Sequence, residues 1–154
     1  MPERFRLKYI DKDGTEKPVV MIHKALLGSF ERFLSVYLEH TGGKFPVWLA
    51  PEQVRILTIN DDKNILKVAK NVVEKAEQAG VRAALDDSNE SVGKKIREAE
   101  VMKVPYTIVI GQKEAESNQI VPRVRGDLGK QSEKPEAIDE FLAHVAKEAQ
   151  TRSK

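Results

Sequence analysis

The sequence predicts an α/β chain: an α/β sandwich on a parallel sheet core, preceded by a hairpin and one amphipathic helix. Three observations carry this. From Val54 onward, short apolar runs alternate with segments of helical period in a β-α-β-α-β order, the rhythm of parallel strands joined by helical crossovers. Before that point, Leu26, Phe30, Phe33, Leu34, Tyr37 and Leu38 recur at helical spacing and give one segment an apolar face that needs burial. Only a hairpin-sized stretch precedes that helix, too little to cover such a face.

Taken in order, Phe5–Ile10 alternates apolar and charged residues, as a half-buried strand does. Asp11-Lys12-Asp13-Gly14 is a turn, with glycine supplying positive φ. Pro18–Ile22 reads as the second strand. The Gly28–His40 helix follows, broken by Gly42-Gly43, and Pro46 and Pro51 mark an extended connector. The domain boundary falls between Phe45 and Pro51.

Val54–Asn60 is the next strand, and Asp61-Asp62 can cap the helix after it. Ile65, Val68, Ala69, Val72, Val73, Ala76 and Ala79 face that helix inward, and Gly80 ends it. Val81–Asp86 is a strand. A helix opening at Ser88-Asn89 carries Val92, Ile96, Ala99 and Val101. Val104–Gly111 is a buried strand. Gln119–Arg125 is another, placed at an edge or bulged because Pro122 lacks a backbone donor. The short link from Gly111 to Gln119 allows these two to be antiparallel. Pro135 suits the first position of the last helix, with Ile138, Phe141, Leu142 and Val145 facing inward.

Length and composition bound the rest. The 154 residues suffice for one full domain plus an appendage. Apolar content of 40% and charged content of 32% suit a soluble globular chain, with no apolar run long enough for a membrane and no signal-peptide pattern. The absence of cysteine excludes disulfides and thiolate metal sites and suits the cytosol. A formal charge of +2 is too small to attract nucleic acid in bulk. RNA contact must therefore come from local arrangement.

Two stretches carry a family resemblance. Met21–Leu34, where His23 precedes Glu31-Arg32-Phe33, resembles the third signature motif of class II aminoacyl-tRNA synthetases. The continuation Thr41-Gly42-Gly43-Lys44-Phe45-Pro46-Val47-Trp48-Leu49-Ala50-Pro51-Glu52-Gln53 narrows the resemblance to threonyl-tRNA synthetases. It implies a remnant of the class II catalytic domain over residues 1–47. Residues 48–154 would be a three-layer α/β/α anticodon-binding domain with a mixed, mostly parallel sheet. It also implies a cytoplasmic parent enzyme that uses ATP with Mg²⁺ and one zinc to charge tRNA with threonine. That parent would be a homodimer through its catalytic domain. The chain alone would be catalytically silent and need no cofactor; its partner would be the anticodon stem-loop of threonine tRNA, not DNA or a membrane.

Six residues are candidates by this resemblance. His23 is similar in context to a ligand of the active-site zinc. Such a site needs at least three protein ligands, and this chain offers only three histidines and no cysteine. For the isolated chain, a lone polar residue at a strand end is the better reading. Arg32 matches an arginine that stacks on the adenine of ATP, a task suited to a planar permanent cation; its plain alternative is a surface ion pair. Ser29 and Glu31 read as capping residues. Asn89 and Arg97 match the segment facing the anticodon loop, while Ser91 stands where a lysine is common. A helix start with nearby cations favours phosphate; the alternative is an ordinary capped surface helix. Glu114 and Arg123 match residues that read anticodon bases. A carboxylate accepts from the edge of an unstacked guanine, and an arginine donates or stacks. The alternative is a surface salt bridge between them, worth little.

Two rivals stand beside this. Asp61-Asp62 after a strand suits a phospho-receiver pocket, but Val104–Ile110 ends in Gly111-Gln112 and offers no phospho-accepting aspartate. No dinucleotide or P-loop fingerprint follows any strand. The other rival is a stand-alone, non-catalytic tRNA-binding accessory protein of synthetase type.

Overall fold

The computed structural model describes residues 1–129, 131 and 134–152. The chain forms two compact units, Met1–Tyr37 and Leu38–Lys154.

The first unit holds an antiparallel hairpin of β1 (Lys8–Ile10) and β2 (Glu16–Pro18), in register Lys8↔Pro18 and Ile10↔Glu16. Its turn is the predicted one. Gly14 takes φ 76°, a conformation cheap only for glycine. Asp13 accepts from both the amide and the hydroxyl of Thr15, and Lys17 bonds Asp11 and Asp13. The strands are shorter than their alternation suggested. Arg6 sits at φ 51°, which ends the extended run, and beyond Val19, whose amide donates to the Leu7 carbonyl at 3.3 Å, residues 20–22 continue without a ladder. α1 (Phe30–Thr41) starts where Ser29 Oγ accepts from the Arg32 amide at 3.3 Å. It ends as predicted: Gly42 and Gly43 take φ 59° and 77°.

The second unit carries a four-stranded sheet in the order β4-β3-β5-β7. Its strands are β3 (Val54–Thr58), β4 (Ala83–Asp86), β5 (Tyr106–Ile110) and β7 (Arg123–Val124). β3 is parallel to both neighbours, with Leu57↔Asp86 and Thr58↔Ile110, while β7 is antiparallel to β5, with Thr107↔Arg123. α2 (Lys63–Gln78) links β3 to β4, and α3 (Val92–Val101) links β4 to β5 on the far side of β3. Right-handed crossovers in opposite directions put these helices on opposite faces, giving the predicted three layers. One face buries Val54, Ile56, Tyr106, Ile108 and Ile110 under α2 and α5 (Ile138–Thr151). The other holds Leu57 and Thr107 toward α3 by strand alternation.

Asp62 caps α2 through the amides of Asn64 and Ile65, and Gly80 ends it at φ 77°. Three boundaries differ from expectation. α3 starts after Ser91, not at Ser88-Asn89, because Asp86 Oδ1 takes both the amide and the hydroxyl of Ser88 at 3.1 and 2.6 Å. The run Gln119–Arg125 splits at Pro122. β6 (Gln119–Ile120) pairs with β8 (Glu136–Ala137), and only β7 joins the main sheet, as its edge. That pairing keeps Glu136 and Ala137 extended, so α5 begins at Ile138 and not at Pro135. A short helix unforeseen in the sequence, α4 (Gln112–Ser117), fills the link after β5. Beyond β7, Gln131 accepts from the Val124 amide and donates to the Pro122 carbonyl at 3.1 and 2.9 Å.

The connector before β3 is bound into this unit. Buried Gln53 donates to the Val47 carbonyl and accepts from the Arg82 amide, both at 2.9 Å. The Arg82 guanidinium bonds the Trp48 and Ala50 carbonyls. Arg125 reaches the carbonyls of Phe45 and Lys103 at 2.7 Å while gripping Asp127.

Candidate nucleic-acid interface

Three parallel strands end together at one edge, at Thr58, Asp86 and Ile110. The chain leaves β3 toward β4 on one side and reaches β5 on the other. A crevice therefore opens between the ends of β3 and β5, the usual ligand position in open α/β sheets. A cavity of about 430 Å³ lies there, lined by Ile59, Asn60, Asp62, Asn64, Ile65 and Gln112. Its amide side chains were not singled out from the sequence; the signal is strand order, which no local pattern encodes.

Asn89 lies exposed on the loop between β4 and α3 at this edge. The loop is held by the Asp86 turn and by Ser91, whose Oγ accepts from the Lys94 amide at 3.4 Å. The nearby cations differ from expectation. Lys94 is paired with Glu90 at 2.6 Å, and that carboxylate raises the Lys94 pKa. Lys95 is only 1% exposed and points inward, because its position on α3 faces the sheet. Arg97, one turn into the helix, is exposed.

Glu114 sits at the third position of α4, just past the end of β5. Its Oε2 accepts from the Gly111 amide at 3.0 Å, so one oxygen is fixed as a cap and the carboxylate cannot swing freely. Arg123 is exposed on β7. Its partner Thr107 lies three residues before the end of β5, about 10 Å from the carboxyl edge at strand rise. Its side chain lines a cavity of about 290 Å³ with Lys44, Ile96, Glu100 and Lys103. Asn89 and Glu114 thus share the carboxyl edge, while Arg123 approaches from the α3 face. No ion pair joins Glu114 to Arg123 among the described residues. The side chains of Asn89, Arg97 and Arg123 have no hydrogen-bond or ion-pair partner among them either.

His23 and Arg32 are exposed residues of the first unit. Among the described residues no group of three or more His, Asp or Glu is placed to hold a metal, so His23 by itself does not fit a zinc site. No helix among them is long and apolar enough to cross a membrane.

The second unit is an α/β domain with exposed polar side chains at its carboxyl edge, and comparison with known proteins gives its class as anticodon-binding. Residues 53–148 match the anticodon binding domain family, and the chain belongs to it. Membership implies a tRNA partner. Relatives called threonine–tRNA ligase match along nearly the whole chain. That of Clostridium tetani is 44% identical over 154 residues, covering 99% of this chain and 23% of the relative. That of Phocaeicola vulgatus is 43% identical over 148 residues, covering 96% and 22%. The chain thus spans under a quarter of the length of the curated relatives it matches. Among solved structures, the RNA binding domain of threonyl-tRNA synthetase from Cryptosporidium parvum Iowa II has a TM-score of 0.78. It is 35% identical, covering 95% of this chain and 36% of that one. A prolyl-tRNA synthetase from the same organism has a TM-score of 0.70 at 20% identity, covering 98% and 32%, and shares the fold.

Proposed function

We propose that this chain is the anticodon-reading end of a threonine–tRNA ligase and binds the anticodon stem-loop of threonine tRNA. The observation that supports this most is the shared carboxyl edge, where the Asn89 loop and the capped Glu114 stand beside an open crevice. A base lifted from the loop meets a fixed carboxylate at Glu114, which accepts from the Watson–Crick edge of guanine. Asn89 supplies an amide at the neighbouring loop. Arg97 and Arg123, both exposed, meet phosphate or base from the α3 side. Residues 1–47 then belong to a class II catalytic domain and residues 48–154 to the reading domain. In the longer, homodimeric, cytoplasmic protein, ATP with Mg²⁺ supplies the activating phosphoanhydride. Arg32 supports its adenine there, and His23 is one of several zinc ligands, the others coming from outside this chain.

The test is titration of matched anticodon stem-loops differing only at the guanine, at fixed salt. Wild type is expected to prefer the guanine loop, and Glu114→Ala to lose that preference. Equal discrimination by wild type and Glu114→Ala removes Glu114 as the reader.

A further inference from the structure

Lys95 is the one charged residue among the described residues that is fully buried in the fold. Its ammonium donates to the Thr58 carbonyl at 3.0 Å, to Thr58 Oγ1 at 3.4 Å and to the Asp86 carbonyl at 3.3 Å. Thr58 Oγ1 also approaches the Asp86 carbonyl at 3.5 Å. Thr58 is the last residue of β3 and Asp86 the last of β4. The ammonium therefore bridges two strand ends at the edge where the proposed readers stand. A buried ion pair or cation is costly for stability, and an apolar side chain of similar volume often does as well. The other inward positions of α3 are apolar: Ala99 is buried and Ile96 is half-buried.

What the ammonium adds is a fixed start to the loop that follows β4. Asp86 offers its carbonyl to Lys95 and its carboxylate to Ser88. Burial pushes the Asp86 carboxyl up. The Ser88 bonds and the nearby Lys95 and Arg55 charges outweigh it, leaving it below its ordinary value. The Ser88 bonds do most of this lowering, and the Lys95 charge adds to them. Ser91 closes the loop at the N-terminus of α3, the helix that carries Lys95. One end of the loop bearing Asn89 is thereby tied to the Lys95 side chain, and the other, through Ser91, to the backbone of the helix that carries it.

We propose that Lys95 is a positioning residue for base readout. It fixes the Asp86–Ser91 loop so that Asn89 meets the anticodon loop in one geometry. This rests on the function proposed above. The probe is the pair of stem-loops differing at the guanine, with Lys95→Met, Asn89→Ala and the double variant. Lys95→Met is expected to stay folded and keep the salt dependence of binding. Discrimination should fall about tenfold, and the Asn89→Ala loss should shrink by a similar factor in its presence, the signature of coupled sites. Without RNA, amide exchange at Ser88 and Lys94 is expected to speed up in Lys95→Met. Wild-type discrimination in a folded Lys95→Met, or losses that simply add, overturns the proposal while leaving the anticodon reading intact. A wild-type chain with no base preference overturns that reading and this proposal with it; exchange at Ser88 then shows whether the clamp itself stands. Should Lys95→Met fail to fold, Thr58→Val removes one acceptor and leaves the ammonium. Its effect must couple to Asn89 in the same way, and additivity there also overturns the proposal.

Discussion

Gly111 lies so close beneath Ile59 that a Cβ on it would sit 2.4 Å from Ile59 Cδ1, and 3.0 Å from the Glu114 oxygen that caps its amide. Both neighbours are the far ends of side chains. Gly111 itself is extended at φ −116°, so no backbone strain is added. Gly111→Ala is therefore expected to cost little stability, under about 1 kcal/mol, while displacing Ile59 and Glu114. Thermal melting and the guanine-variant titration should separate: a near-normal melt with reduced guanine preference. A normal melt with normal preference would show that Glu114 does not need this placement.

Gln53 is expected to be a stability residue with no part in binding. Gln53→Leu keeps most of its volume, leaves the Arg82 amide unpaired at about 1–3 kcal/mol, and leaves the Val47 carbonyl only its longer bond from the Ala50 amide at 3.3 Å. Chemical denaturation should show a lower midpoint. An unchanged midpoint would mean the connector readily finds other partners.

Arg123→Ala is expected to weaken stem-loop binding by about 1–3 kcal/mol and relax base preference. Its guanidinium has no partner to lose within the described chain, so stability should hold. Loss of affinity with base preference intact would mark Arg123 as a phosphate contact instead.

Stability should be flat in the middle of the pH range and fall at both ends. Burial pushes Asp127 up, but the bonds from Arg125 outweigh it and hold it below its ordinary 3.8; Asp86 is also lowered. A depressed carboxyl contributes stability above the unfolded value, lost as pH falls through the folded one. Tyr106 is raised from 10.0, first by burial and then by its bond to Glu148 at 2.7 Å. Its contribution is complete below the unfolded value and fades as pH rises beyond it. Denaturation midpoints from pH 3 to 11 check this, and Tyr106→Phe should soften the alkaline fall.

Threonine-dependent pyrophosphate exchange by the chain alone is expected to stay at the level of a protein-free blank. Transition-state stabilisation needs several preplaced charges, and Arg32 stands exposed by itself. Exchange well above the blank would refute this.

The layers of the second unit were legible because each element states its own period: β3 and β5 as apolar runs, α2 as an inward face between Asp62 and Gly80. The turn at Gly14 and the break at Gly42-Gly43 were equally local. Apart from the late start of α3, set locally by the Asp86–Ser88 turn, the main failures depended on partners distant in sequence. Nothing around Gln119–Arg125 announces that Pro122 hands β6 to β8 and β7 to β5. Pro135 looked like a helix start because the strand pairing that keeps residues 136–137 extended comes from elsewhere. Nothing in the local composition of Lys94-Lys95-Ile96-Arg97 separates buried Lys95 from its exposed neighbours Lys94 and Arg97. The helical phase of Lys95, one turn before buried Ala99, was the available sign that it turns inward. The separation of Arg123 from the carboxyl edge came only with the antiparallel register.

Gln131 fills the outer margin of the sheet. It takes the one outward amide of β7 and the carbonyl of Pro122, and Pro122 has no N–H to offer. A second copy seeking to extend the sheet there finds two residues, a side-chain plug and the charge of Arg123, the devices by which edges resist intermolecular pairing. Colloidal behaviour at high concentration thus depends on an amide side chain that bonds both chain neighbours of Arg123. Gln131→Ala would bare that margin, and light scattering of concentrated protein on slow warming should reveal it.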